Sequence, residues 1–383
     1  MATILNTRLA KLRALVVDDM QTMRQNIRTQ LGQLGIEQVD QSATPNDAIK
    51  RIRNTHYDVI ICDYNLNKET NGQQVLEYLR SQKLLSPTAM FFMVTAESSY
   101  DSVASTAEFQ PDAYMVKPLT GGKIADRLER LLDRQQALKP ITDRLQMKDL
   151  AGAITECDTV LAAEPKWIVD ILKIKASSAL ELGNIEQARA TYRQALALRN
   201  DLVWARLGLA RCDQAAGQLD QAKKLVSEVL ETNVQFVGAY DLLAQIAEAQ
   251  GNEEEVLDAF NKSYEVIPSA RRSRLMGDAA YRVGNLEQAR QAFSKALSHT
   301  RGSLTAQASD ALSLAQVQVD IGDAADALSV LSAAAQDHQD DPYFAARQAT
   351  IAAQAFARLG DMNSAQAAFC LLYTSPSPRD QRG

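Results

Sequence analysis

The sequence predicts two architectures in series: a doubly wound α/β domain over residues 10–136 and an all-α helical solenoid over residues 147–369. Two observations predict the first. Short apolar runs alternate with helical stretches, and the residues at the ends of those runs form one chemically coherent set. A third observation predicts the solenoid: glycines recur at a near-constant interval through the C-terminal half.

The apolar runs occupy residues 12–17, 57–62, 89–94 and 113–116. Runs rich in β-branched or aromatic residues, separated by helical stretches, read as buried parallel strands in βα units. At their carboxyl ends stand Asp18, Asp19, Asp63, Thr95 and Lys117. Ligands of an open α/β sheet gather outside the carboxyl ends of its strands. That crevice would hold three carboxylates, a hydroxyl and an ammonium. Clustered carboxylates repel one another, and a hard divalent cation with oxygen ligands, such as Mg²⁺, relieves the repulsion. A carboxylate in such a site can attack a phosphoryl group as a nucleophile. An ammonium and a hydroxyl beside it stabilise the phosphoryl oxygens.

With these residues in place, residues 10–136 resemble the receiver domain of response regulators of the chemotaxis-regulator type. The resemblance implies a flavodoxin-like, five-stranded parallel sheet, Mg²⁺ as cofactor and no enzyme activity. It assigns Asp63 as phosphoacceptor, Thr95 as the switch hydroxyl and Lys117, followed by Pro118, as the lysine that pairs with the phosphoryl group. Asp18, Asp19, Asp63 and the backbone carbonyl of Asn65 become the metal ligands, and Tyr114 becomes the aromatic whose rotamer tracks phosphorylation. A histidine kinase or phosphotransfer protein would donate the phosphate. Phosphorylation would then repack the face formed by the fourth helix, the fifth strand and the fifth helix (about 120–136). One departure stands out. The family has Met-Pro soon after the phosphoacceptor and a Gly eight residues beyond it. Here the Pro is absent and Gly72 stands nine beyond Asp63, which lengthens the neighbouring loop by one residue.

The solenoid is read from Gly183, Gly217, Gly251, Gly284, Gly322 and Gly360, spaced by 34, 34, 33, 38 and 38 residues. Seven before each glycine stands a small residue (Ala176, Ala210, Ala244, Gly277, Ala315, Ala353), where two helices can approach closely. Nine after stands a bulky apolar one (Tyr192, Val226, Phe260, Phe293, Leu331, Phe369). Each glycine ends a helix in the left-handed conformation, and an Asn or Asp following it can cap the next. Together these positions resemble the tetratricopeptide (TPR) pattern, one helical hairpin per repeat. Stacked hairpins bury a face that one hairpin cannot, and leave a concave surface.

Residues 147–163 align with a second helix but carry Lys148 in place of the glycine, so they read as a lone opening helix or a half repeat. Pro140 is expected to shorten the helix before it, leaving a short polar linker over 137–146 that favours mechanical coupling. A partner of the concave face would touch Lys173, Arg211, Asp241, Arg271, Arg274 and Tyr281, whose three arginines suit an acidic peptide. Residues 370–383 resemble a translated sequencing adapter and break the helical pattern after Phe369.

Composition narrows the class. Lys and Arg number 41 against 47 Asp and Glu, which argues against a large nucleic-acid footprint. No apolar run of 18 residues is present, and the N-terminus lacks a basic stretch followed by an apolar one, so a cytoplasmic protein without a membrane span is expected. Cys62, Cys157, Cys212 and Cys370 show no CxxC spacing, and neither disulfides nor zinc is expected. The resulting expectation is a two-component response regulator whose output is a protein-binding TPR array. Two alternatives stay open: a phosphate sink or kinase antagonist without a separate effector, and a truncated multidomain regulator whose output enzyme lies beyond residue 369.

Overall fold

The computed structural model describes residues 8–66, 71–86, 88–96, 111–163, 165–300, 306–336, 338 and 341–374. The N-terminal elements run β1 (Arg13–Val17), α1 (Gln21–Gln33), β2 (Gln38–Ser42), α2 (Pro45–Asn54), β3 (Val59–Asp63), α3 (Gly72–Ser81), β4 (Met90–Thr95), β5 (Ala113–Val116) and α4 (Gly121–Gln146). All five strands are parallel, in the order β2-β1-β3-β4-β5. Four of them coincide with the apolar runs. The fifth, β2, is Gln-Val-Asp-Gln-Ser at a sheet edge, mostly half-buried, so no apolar run announces it.

Successive side chains of a strand point to opposite faces, and each face has its own core. Ala14, Val16, Val59 and Ile61 meet Ile27 and Leu31 of α1 and Ile124, Leu128 and Leu132 of α4. Leu15, Val17, Ile60 and Cys62 meet Ile49 of α2 and Val75, Leu76 and Leu79 of α3. This is why the central strands are apolar through their interiors. The fourth helix that the resemblance implies falls on residues outside those described.

Helix α4 corrects the domain boundary. It runs unbroken to Gln146 with Pro140 inside it, so residues 137–146 are helix and not a linker. Pro140 removes one backbone donor, but its neighbours are held by packing. Leu138 and Ile141 are buried with Ala153, Cys157, Trp167 and Ile171. Helix α5 (Leu150–Ala163) packs back on α4, so the segment expected as a half repeat is a complete hairpin. Its first helix is the end of the receiver-like domain's last helix. Lys148 takes the glycine's place at φ 59°, and the Asp149 N–H reaches the Arg144 carbonyl at 2.9 Å.

The repeats continue as α6 (Ile168–Glu181), α7 (Ile185–Leu198), α8 (Val203–Ala215), α9 (Leu219–Thr232) and α10 (Val237–Gln250). A second compact unit begins at Glu253 and comprises α11 (Glu253–Val266), α12 (Ala270–Arg282), α13 (Leu286–Thr300), α14 (Ala308–Ile321), α15 (Ala324–Ala335), α16 (Pro342–Arg358) and α17 (Met362–Thr374). The six repeat glycines all have φ between 74° and 109°. Asn184 and Asn285 cap their helices by accepting from the Gln187 and Gln288 N–H groups at 3.3 and 3.2 Å, whereas Asp323 makes no side-chain cap. At Gly277 a Cβ would lie 2.7 Å from the Phe293 ring, the close approach that the small residue permits. The longer spacing of the last repeats arises partly in α16, which has 17 residues. Helix α17 extends past Cys370 to Thr374; Pro376, the first proline able to stop it, follows two residues later. The four cysteines are free, and no described helix is long and apolar enough to cross a membrane.

Candidate functional site

Strand pairing assembles the site. Val17 pairs with Cys62, so Asp18 and Asp63 leave adjacent strands side by side. Thr95 pairs with Val116, and the Lys117 N–H donates to the Thr95 carbonyl at 2.8 Å. All five residues that the sequence singled out therefore meet at one edge of the sheet. One carboxylate oxygen each from Asp18, Asp19 and Asp63 lies within 4.8 Å of the others. Asp18, Asp63 and Thr95 are buried, while Asp19 is exposed.

Lys117 spans the cluster. Its Nζ lies 3.0 Å from Asp63 Oδ1 and 3.2 Å from Asp18 Oδ2. Burial opposes its charge, but the hydrogen bond and charge of Asp63, with Asp18 behind, hold its pKa above the usual lysine value. Burial pushes the Asp63 carboxyl up; the Lys117 bond opposes this, and the charges of Asp18 and Asp19 add to it. Three carboxylates against one ammonium leave two negative charges in a partly buried crevice. That donor set fits a hard divalent cation.

Two positioning residues, Met20 and Arg24, escaped sequence reasoning, and the role of Gly72 becomes clear only in the structure. The Met20 N–H donates to Asp18 Oδ1 at 2.8 Å, which aims that carboxylate. Arg24 reaches back from α1 to the Asp18 and Asp19 carbonyls at 2.7 and 3.0 Å. Gly72 opens α3 directly beneath Asp63: a Cβ there would sit 2.3 Å from the Asp63 carbonyl oxygen. Only glycine allows that approach, and it explains why the helix can start there despite the lengthened loop. The loop's residues 67–70 lie outside those described. The Lys117–Pro118 bond is cis.

The secondary site residues are placed as follows. Asn65 lies two past Asp63 and is exposed. Tyr114 is half-buried against the core shared with α2 and α3, with its hydroxyl removed from solvent. Among the six residues expected on the concave face, Lys173, Arg211 and Asp241 belong to the first compact unit and Arg271, Arg274 and Tyr281 to the second. Arg274 and Tyr281 are engaged within the protein by an ion pair and a hydrogen bond. Arg274 forms a two-pronged pair with the fully buried Asp310, and the Tyr281 hydroxyl donates to Asp320 at 2.7 Å. Each partner lies about one repeat further along the chain, 36 and 39 residues away, and that spacing was the available signal.

Comparison with known proteins agrees with this geometry. Residues 14–129 match the response regulator receiver domain family and residues 179–246 match the tetratricopeptide repeat family. Chemotaxis protein CheY of Pseudomonas aeruginosa is 28% identical over 123 residues, which is 32% of this chain and 98% of that protein. Chemotaxis protein CheY-3 of Vibrio cholerae is 25% identical over 134 residues, 35% of this chain and 99% of that protein. Among solved structures, the C-terminal part of a TPR repeat-containing protein from Cytophaga hutchinsonii aligns at a TM-score of 0.50 and 13% identity, covering 62% of this chain and 95% of that one, a likeness of fold alone.

Proposed function

We propose that this chain, a CheY-like receiver domain joined to TPR repeats, is a cytoplasmic response regulator of a two-component system. The observation that carries the reading is the carboxylate cluster of Asp18, Asp19 and Asp63 with Lys117 bridging it.

Asp63 is the nucleophile. Its carboxylate oxygen forms the bond to phosphorus while the bond to the donor, a histidine kinase or phosphotransfer protein, breaks and the donor keeps that electron pair. Asp18, Asp19 and the Asn65 carbonyl, with Asp63 itself, would hold Mg²⁺, whose charge when bound offsets the carboxylates and the incoming phosphoryl oxygens. Lys117 already donates to Asp63 and transfers that bond to a phosphoryl oxygen. Thr95, on the neighbouring strand end, supplies a hydroxyl to another. Tyr114, which pairs with Met93 two positions before Thr95 on β4, follows the Thr95 movement and repacks the surface formed by β5 and α4. Such a change biases an existing two-state equilibrium.

Helix α4 supports an output through the repeats. Its first half packs on the sheet and its second half forms the first hairpin, so a shift of α4 against β5 reaches the TPR array without crossing a flexible tether. The chain is thus a signalling protein that acts by protein–protein interaction and is not an enzyme. Pull-down from the source cells, with and without beryllofluoride as an aspartyl-phosphate mimic, tests this. A partner that changes with the mimic and is lost with the repeats supports it. Capture of a histidine kinase alone, through the receiver, replaces it with a phosphate sink or kinase antagonist.

A further inference from the structure

A second charged site lies at the junction of receiver and repeats, away from the phosphoacceptor. A cleft of about 450 Å³ is walled by the start of β5, the middle of α4 and helix α6. Its cations come from three helices: Arg80 of α3, Arg127, Arg130 and Arg134 of α4, and Lys173 of α6. The three α4 arginines stand at i, i+3 and i+7, which places them on one helical face. Like charges so spaced repel, so a face of this kind is ordinarily left to open solvent. Here the exposed Arg127 and Arg130 line a cleft, with Lys173 on its opposite wall.

The acids in the cleft do not balance it. Asp112 pairs with Arg80 at 3.3 Å, and the same oxygen also accepts from the Phe91 N–H at 2.8 Å. Asp170 pairs with Arg134 at 2.8 Å. Arg127, Arg130 and Lys173 are left in excess, and among the described residues no ion pair takes up either arginine. Burial lowers the pKa of Lys173, Asp170 opposes this, and Arg134 and Arg211 add to the lowering. The Lys173 Nζ rests 5.9 Å from the Trp204 ring centroid.

We propose that this cleft binds a small anion carrying two linked phosphate groups. Guanidinium forks match phosphate oxygens in pairs, and two linked phosphates bring more negative charge to the cleft than a lone carboxylate does. The three excess positive charges suit a diphosphate. The volume falls within the roughly 300–1,000 Å³ of small-ligand pockets. The site is independent of phosphotransfer, because it borders the amino end of β5 (Ala113) whereas Asp63 lies at the carboxyl end of β3. An occupant held between α4 and α6 would tie the receiver to the first repeat.

Isothermal titration of the full chain in EDTA tests the proposal with inorganic pyrophosphate, ADP and adenosine as probes. Pyrophosphate and ADP are expected to bind the wild type and Asp63→Asn alike, and adenosine not at all. Tighter binding of ADP points to a nucleotide, and equal binding to the phosphates alone; both support the site. Arg127→Gln combined with Arg130→Gln changes two exposed side chains, leaves the fold intact, and is expected to weaken binding by about tenfold or more. Lack of binding by either phosphate probe overturns the proposal. So does binding that the double variant leaves unchanged, binding lost in Asp63→Asn, or a poly-glutamate peptide that binds more tightly than pyrophosphate.

Discussion

Replacing Asp63 by Asn should make the receiver more stable at neutral pH while abolishing its chemistry. At an effective dielectric of about 20, a carboxylate pair 4.8 Å apart repels by roughly 3.5 kcal/mol, and the Lys117–Asp63 pair at 3.0 Å attracts by roughly 5.5 kcal/mol. Asp18 exerts that repulsion in full, and the exposed Asp19 only in part because solvent screens it. The Coulomb contributions therefore nearly cancel, and the cost of burying the Asp63 charge decides the sign. The amide keeps the shape and can still accept from Lys117, so the expected gain is about 1–2 kcal/mol.

The pH dependence follows from the same residue. Asp63 has a folded pKa raised above the ordinary 3.8, so the folded state holds that proton more tightly than the unfolded chain. Its contribution to stability is present below 3.8 and lost as pH rises through the folded value. The advantage of Asp63→Asn should accordingly be full at neutral pH and vanish on acidification below that range. Amide hydrogen exchange across β3 in EDTA reads this locally, which matters for a chain of two compact units. Added Mg²⁺ should slow exchange in the wild type much more than in the variant. Faster exchange in Asp63→Asn at neutral pH, by a factor equivalent to about 1 kcal/mol or more, would refute the reasoning.

Three further substitutions test separate parts of the structure. Gly72→Ala forces a Cβ to within 2.3 Å of the Asp63 carbonyl; it should destabilise the receiver by about 1–3 kcal/mol in urea and slow phosphorylation of Asp63. Arg274→Met leaves the fully buried Asp310 carboxylate without its partner and should cost about 3 kcal/mol in the second unit, read by exchange in α12 and α14. Lys148→Gly relieves a side chain held at φ 59°, a gain of about 1–2 kcal/mol that the greater freedom of glycine in the unfolded chain partly offsets. A small rise in melting temperature is expected, and a fall would show that the Lys148 side chain contributes something its backbone does not reveal.

The legible parts of the sequence were those where one physical demand acts at each position. Strands buried on both faces must be apolar through their interiors, which exposed β1, β3 and β4, and the edge strand β5 showed as a short apolar run, Ala-Tyr-Met-Val. The half-exposed edge strand β2 has no such demand and reads as Gln-Val-Asp-Gln-Ser. The site was legible because five chemically matched residues stand at strand ends, whereas Arg24 binds backbone carbonyls, a contact that leaves no sequence pattern. Pro140 misled because its cost to a helix is local and the packing of Leu138 and Ile141 that outweighs it is not. Arg274 and Tyr281, expected to contact a partner, pair instead with acids in the following repeat.

The central claim is that Asp63 is the residue that takes the phosphoryl group. Intact-mass spectrometry of the full chain after incubation with acetyl phosphate and Mg²⁺ tests it most directly. One added phosphoryl group in the wild type, absent in Asp63→Asn and absent in EDTA, is the expected result. A phosphoryl adduct that persists in Asp63→Asn would contradict the account.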